Sequence, residues 1–72
     1  MTLSDRDRNV LAFEAGHPSV GASKNEAIRT RLGISPARYY QILDRLSVSV
    51  EALALEPLLV RRLQRRRERQ LV

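Results

Sequence analysis

The side chains best able to do chemistry in this sequence are arginines, and they are concentrated at two places. The segment "ARYYQILDR" at residues 37–45 places a glutamine and two arginines around a tyrosine pair, and "RRLQRRRER" at residues 61–69 holds six arginines. Arginine presents a planar fork of donors that pairs with phosphate or carboxylate, and glutamine can pair with the edge of adenine. These residue types are typical of nucleic-acid recognition.

Enzymatic chemistry finds little support. Asp5 and Asp7 are close in sequence, but two residues apart on a helix they point in different directions, and acids near a helix start are explained by its dipole. His17 is the only histidine and there is no cysteine, so we expect a solvent-exposed loop residue there and not a metal ligand. With no nucleophile beside a base and no phosphate-cradling glycine loop, we expect no enzyme, no catalytic or metal-binding residue and no cofactor.

The positive charge of the chain is local. The net charge is +5, yet the residues before Pro57 contain seven basic and seven acidic side chains, whereas from Pro57 onward six arginines face Glu68 alone. Twelve of the thirteen basic residues are arginine, which favours forked contacts to phosphate or carboxylate over a merely solubilising surface.

The length of 72 residues predicts one domain, 1–72, with a thin stability margin. The absence of cysteine is compatible with a reducing compartment. The first ten residues are charged where a signal peptide would be apolar, and no run approaches the roughly 18 apolar residues of a membrane span. We therefore expect a cytoplasmic protein, associated with the nucleoid if it binds DNA, and no membrane partner.

Helix-capping signals divide the chain into short helices. Three helix starts are marked by the pairs Ser4-Asp7, Ser23-Glu26 and Ser35-Pro36. Together with the apolar spacing they predict helices over 5–15, 24–32, 36–46, 50–55 and 57–69. No hairpin signal appears, so we expect an all-α bundle of four or five helices without a β-wing.

The second and third predicted helices are joined by a tight turn at Gly33, the pattern of a helix-turn-helix. Apolar residues occupy the positions that lock such a pair together: Ile28, Leu32, Ile34, Tyr39 and Ile42. Arg29 replaces the small residue usual four positions before the glycine, so either the helices cross more widely or Ala27 takes that role and Arg29 reaches solvent. A plain antiparallel pair in a small bundle is the alternative.

The third predicted helix has a polar face. Burying Tyr39, Ile42, Leu43 and Leu46 leaves a solvent side made of Ala37, Arg38, Tyr40, Gln41 and Arg45. These side chains suit a DNA groove, because Gln can pair with adenine and Arg with guanine or phosphate. Asp44 is a poor neighbour for phosphate and is expected to bind Arg45 or to cap a contact.

The last predicted helix carries a basic stripe beside an apolar one. At about 100° per residue, one row contains Arg61, Arg65 and Arg69, and the next contains Arg62 and Arg66. The stripe fits an arm that follows phosphates; a solvated helix face or a helix lying on anionic membrane are the alternatives. Leu59 and Leu63 either form a homodimer seam or complete the core of one chain.

Three segments, "LSDRDRNVLAFE", "EAIRTRLGISPARYYQIL" and "EALALEPLLVRRLQRRR", together resemble a family of small actinobacterial helix-turn-helix proteins of uncharacterised function. Its members carry an Ala-Ile-Arg…Met-Ser…Arg-Tyr-Tyr-Gln-Val-Leu core and a Pro-x-Leu-Val-Lys/Arg-Arg-Leu tail, and the most specific match is the run from Arg38 to Gln41. This chain departs at Gly16-His17-Pro18, where the family has aromatic residues, and its loop is one residue longer. The resemblance implies that Arg29 is a family trait, and it implies no activity.

The sequence thus predicts a single helix-turn-helix domain, with 57–72 as a basic C-terminal helix, that binds double-stranded DNA as a transcriptional regulator or phage-type accessory factor. The expected contacts are Ser35, Ala37, Arg38, Tyr40, Gln41, Arg45, Arg61, Arg62, Arg65, Arg66 and Arg69. The alternative is a protein-interaction module whose arginine helix docks on an acidic partner, such as a component of the transcription machinery. Non-specific RNA binding is a third possibility.

Overall fold

Five α-helices and one π-helical segment make up the part of the chain that the computed structural model describes, residues 3–71, with side chains described for 3–68. In chain order they are α1 (Asp5–Gly16), α2 (Ala22–Ala27), the π-helical segment (Ile28–Leu32), α3 (Pro36–Leu46), α4 (Val50–Leu55) and α5 (Pro57–Leu71). Residues 3–71 contain no strand. The prediction of an all-α small bundle of four or five helices is therefore confirmed.

The predicted helix starts are confirmed except at one helix. The Ser4 hydroxyl accepts from the Asp7 backbone N–H, and the Asp7 carboxylate accepts from the Ser4 N–H, so the first capping box forms in full. Ser35 likewise accepts from the Arg38 N–H at 3.1 Å. The capping box predicted at Ser23 is wrong, because Gly21 turns the chain with a φ of +143° and α2 begins directly after it.

Gly33 ends the second helix as predicted, in the left-handed conformation with φ of +69°, and its N–H donates to the Arg29 carbonyl. Ala27 is half-buried against the core, whereas Arg29 is exposed and lies 3.7 Å from Glu26. The exposure of Arg29 agrees with the expectation that its side chain reaches solvent. The π-helical geometry before the glycine was not predicted.

The core is formed by apolar residues of α1, the π-helical segment, α3, α4 and α5, with Ala27 of α2 packed at its edge. It contains Val10, Leu11, Phe13, Ile28, Tyr39, Ile42, Leu43, Leu46, Ala52, Leu59, Val60 and Leu63. The four residues predicted to be the buried face of α3 are all among them. Because Leu59 and Leu63 complete the core of the single chain, they are not available as a homodimer seam.

Two features arrange the helices around α3. Helix α1 runs antiparallel to it, since Asp7 meets Arg45 at one end and Glu14 meets Tyr39 at the other. Glu56, forced out of helical geometry by the following proline, separates α4 from α5 and lets α5 return across α3. No helix within residues 3–71 is long and apolar enough to cross a membrane.

Candidate nucleic-acid interface

The N-terminal half of α3 presents the polar face that the sequence predicts. The side chains of Ser35, Ala37, Arg38 and Gln41 are all exposed. The Ser35 cap and Pro36 fix where the helix begins, so they also fix which side chains reach solvent in its first two turns. Arg38 has no side-chain partner among the described residues.

The sequence predicts that Tyr40 faces solvent, but its side chain is half-buried beside the core. Its ring meets the edge of Tyr39 at 5.1 Å between centroids, and the Lys24 Nζ lies 5.7 Å from its centroid. Burial, and then the nearby Glu14, raise the pKa of the Tyr40 hydroxyl above its ordinary value. Tyr40 therefore forms the side wall of the α3 surface and not its centre.

The charges at the C-terminal end of α3 are already paired inside the molecule. An Arg45 Nη2 donates to the Asp7 carboxylate at 2.6 Å, so Arg45 is a bridge to α1 and not a free contact. Burial raises the pKa of Asp7, but the hydrogen bonds from Arg45 and Ser4 outweigh it and hold the pKa below its usual value. The expectation that Asp44 binds Arg45 is wrong, since its partner is Arg67 of α5 at 3.3 Å.

The described arginines of α5 are either exposed and unpaired or half-buried and paired with an acid. Arg61, Arg62 and Arg65 are exposed and have no side-chain partner among residues 3–68. Arg66 is half-buried and lies 3.7 Å from the Glu14 carboxylate, so it is paired inside the molecule and not free as expected. The side chain of Arg69, also predicted to be a contact, lies outside the described residues.

Internal ion pairs separate the arginines into two groups. Five have acidic partners: Arg8, Arg29, Arg45, Arg66 and Arg67. Six have no side-chain partner within the described part of the chain: Arg6, Arg31, Arg38, Arg61, Arg62 and Arg65. No acid of the described part of the chain neutralises this second group. Arg6 and Arg31 were missed in the sequence, since only the folded pairing distinguishes them from their neighbours Arg8 and Arg29.

A buried polar network joins four helices behind this surface. Glu14 is fully buried, and its Oε1 accepts from the Lys24 Nζ at 2.6 Å and from the Tyr39 hydroxyl at 2.5 Å. Its Oε2 has no hydrogen-bond donor among the described side chains, and Arg66 of α5 lies nearest. Burial and the Glu14 carboxylate raise the pKa of Tyr39, so its hydroxyl remains a donor.

This network holds α3 in position against its neighbouring helices. Its four side chains come from α1, α2, α3 and α5, so it fixes α3 relative to each of those helices. No cluster of metal-ligating side chains occurs in the described part of the chain. A signal was present in the sequence, because Glu14 falls three and four residues after Leu11 and Val10, on the apolar face of α1.

His17 is not the exposed loop residue that we expected. Its ring stacks on Phe13 with centroids 4.1 Å apart, and its Nδ1 lies 3.0 Å from the Phe13 carbonyl oxygen. The residue therefore terminates α1 by covering its last turn. This role follows from a spacing of four residues in a helix, which brings the two rings to one face.

Comparison with protein families matches residues 2–71 to DUF3263, a family of proteins of unknown function. The chain belongs to the DUF3263 family. Comparisons with curated proteins and with solved structures give no match. Because family membership extends over nearly the whole chain, the α3 surface, the arginine helix and the buried network all lie within the family domain.

Proposed function

We propose that this DUF3263 protein binds double-stranded DNA, with the exposed face of α3 in the major groove and the free arginines of α5 on the phosphate backbone. The observation that carries the proposal is the division of the arginines. Asp7, Glu14 and Asp44, the acids in contact with α3 or on it, are each paired with an arginine, while Arg38, Arg61, Arg62 and Arg65 have no acidic partner among the described residues. Unpaired arginines on a basic surface are the electrostatic basis of phosphate binding.

The helix pair supports the same proposal. We interpret α2, its π-helical end and α3 as a helix-turn-helix, in which Gly33 provides the turn and α3 is the recognition helix. Gln41 and Ala37 on the exposed face would approach base edges, and Arg38 would lie beside the backbone. The resemblance to actinobacterial helix-turn-helix proteins agrees with this assignment of the helices. A role in transcription regulation in the cytoplasm, near the nucleoid, is part of the same proposal.

Fluorescence anisotropy with a labelled random duplex across a salt series tests the proposal. If each of the four free arginines of α3 and α5 contacts a phosphate, the logarithm of the binding constant should fall linearly with the logarithm of the salt concentration. The slope should be about −3.6 or steeper, because each contact contributes about −0.9. Replacing Arg61 and Arg65 by glutamine should make the slope shallower by about 1.8.

The matched control is Arg8→Gln, since Arg8 is exposed but paired with Asp5. It should leave the slope unchanged. A wild-type protein that binds no duplex at low salt, while helical by circular dichroism, would overturn the proposal. Tighter binding to single-stranded RNA than to the duplex would favour RNA as the ligand.

A second candidate function rests on apolar residues next to the free arginines. Leu58 is 81% exposed and Leu55 is 52% exposed, and Leu58 shares one face of α5 with Arg61 and Arg62, three and four residues later. An acidic amphipathic partner helix, such as one of a transcription complex, would complement this surface. Leu58→Gln should weaken binding to such a partner while leaving duplex affinity unchanged, which separates the two functions.

A further inference from the structure

A cleft of about 250 Å³ between α1 and the end of the π-helical segment is lined by two arginines that have no acidic partner. Arg6 and Asn9 line it from α1, and Arg31 lines it from the π-helical segment. Its apolar wall includes Ile34, which directly precedes Ser35, the N-cap residue of α3. The cleft thus adjoins the start of the proposed recognition helix.

The charges of the cleft suit an anion. No carboxylate lines it, and neither Arg6 nor Arg31 has a side-chain partner among the described residues. Two guanidinium groups at one cleft repel each other unless an anion lies between them, and both offer forked donors that match phosphate oxygens. The Asn9 amide adds a neutral donor. A phosphate group therefore fits the chemistry of these three side chains.

The backbone accounts for the position of Arg31. A π-helical turn contains more residues than an α-helical turn, so it changes the direction of the side chains that follow, and such segments occur frequently at functional sites. Here Leu32 still packs against the core while Arg31 lines the cleft. Gly33 then reverses the chain in its left-handed conformation and brings Ile34 to the same cleft.

We infer that the cleft of Arg6, Asn9 and Arg31 binds a backbone phosphate of DNA next to the N-terminus of α3. The inference rests on the proposed DNA binding and deepens it by adding contacts outside α3 and α5. A phosphate held here fixes the start of α3 relative to the duplex, because Ile34 and Ser35 connect the cleft to the helix. Free inorganic phosphate has the same chemistry, so the experiment separates the two sources.

The test compares two double variants of equal charge. In the first, Arg6→Gln and Arg31→Gln remove the cleft arginines; in the second, Arg8→Gln and Arg29→Gln remove exposed arginines of the same two elements that are paired with Asp5 and Glu26. Both lower the net charge by two. Only the first should make the salt slope on a random duplex shallower, by about 0.9, since the cleft holds one phosphate and each phosphate contact contributes about 0.9.

Each outcome decides between the claims. Equal slopes for the two double variants, both shallower than that of wild type, would overturn the cleft and leave the proposed DNA binding standing. A wild-type protein that ignores the duplex would refute both. Titration with inorganic phosphate, followed by NMR of the arginine side chains, distinguishes a DNA phosphate from free phosphate as the ligand. Selective chemical-shift changes of Arg6 and Arg31 in a protein that binds no duplex would mean a site for free phosphate. That result would overturn the assignment to DNA.

Discussion

Arg67 of α5 lies 3.3 Å from Asp44 on the exposed side of α3, so the tail helix neutralises the acid that would otherwise repel a phosphate from the proposed recognition helix. Two partly exposed side chains hold this pair, and their mutual stabilisation in water is small. Its importance is electrostatic, because it changes what an approaching polyanion meets. The basic helix therefore affects the α3 surface even through an arginine that contacts no DNA.

Arg67→Gln should accordingly weaken duplex binding, since it frees the Asp44 carboxylate on the α3 surface. Adding Asp44→Asn should restore most of the affinity, because the repelling charge is then gone as well. Anisotropy titrations of wild type, the two single variants and the double variant at one salt concentration measure the coupling. Additive losses with no restoration would show that Arg67 acts only through its own charge.

Removing one charge of the buried network should lower the free energy of unfolding much more than removing two opposite charges together. Glu14→Ala leaves the Lys24 ammonium, 3% exposed, without its carboxylate, and should lower the free energy of unfolding by about 3–5 kcal/mol. The apolar pair Glu14→Leu with Lys24→Met removes both charges and should cost far less than the single change. Urea unfolding followed by circular dichroism measures both, and a double variant as unstable as Glu14→Ala would contradict this account.

The two tyrosines give the fold a dependence on alkaline pH. Their pKa values are raised above the ordinary 10.0 in the folded chain, through burial and then Glu14, so the unfolded state loses its protons first. Stability is therefore unaffected by these groups below about pH 10 and falls as pH rises beyond it. Tyr39→Phe should make the fall less steep, as measured by urea midpoints across an alkaline series; an unchanged slope would remove Tyr39 as its source.

Local signals explain how much of the fold was predictable. Ser4, Ser35 and Gly33 each act on their own backbone neighbourhood, so their effects on helix ends can be read without knowing the rest of the molecule. The start of α2 depends on Gly21 adopting a conformation that composition alone does not specify. The π-helical end of that helix is likewise a consequence of packing and Gly33 together.

The candidate surface was less predictable, because ion pairs join residues distant in sequence. Arg45 and Arg67 have acidic partners 38 and 23 positions away, so helical spacing identifies them as exposed but not as neutralised. Arg66 shows the same limit, since a small change in helix rotation moves it from a basic row to the edge of the core. Only the folded structure, in which other arginines have acidic partners, shows that Arg6 and Arg31 have none among the described residues.

The face of α3 should carry sequence information that the tail helix does not. Gln41 is exposed on the side of α3 opposite the buried Tyr39 and Leu43, where a side chain inserted into the major groove meets base edges. Arg65 is exposed on α5, and a contact from arginine to phosphate is blind to sequence. The two residues therefore predict different patterns of loss on preferred and random DNA.

Gln41→Ala should lose about 1–3 kcal/mol of binding free energy on a preferred site selected from a random pool, and almost nothing on a scrambled duplex. Arg65→Ala should weaken both about equally. Paired titrations at fixed salt measure the four affinities, with Ala37→Ser as a control for a mild change on the same exposed face. Equal losses on both duplexes for Gln41→Ala would mean that α3 does not read the base sequence and only supports the arginines that contact phosphates. If neither duplex is affected and the fold is intact, α3 touches no DNA, and binding of an acidic partner becomes the better proposal for this protein.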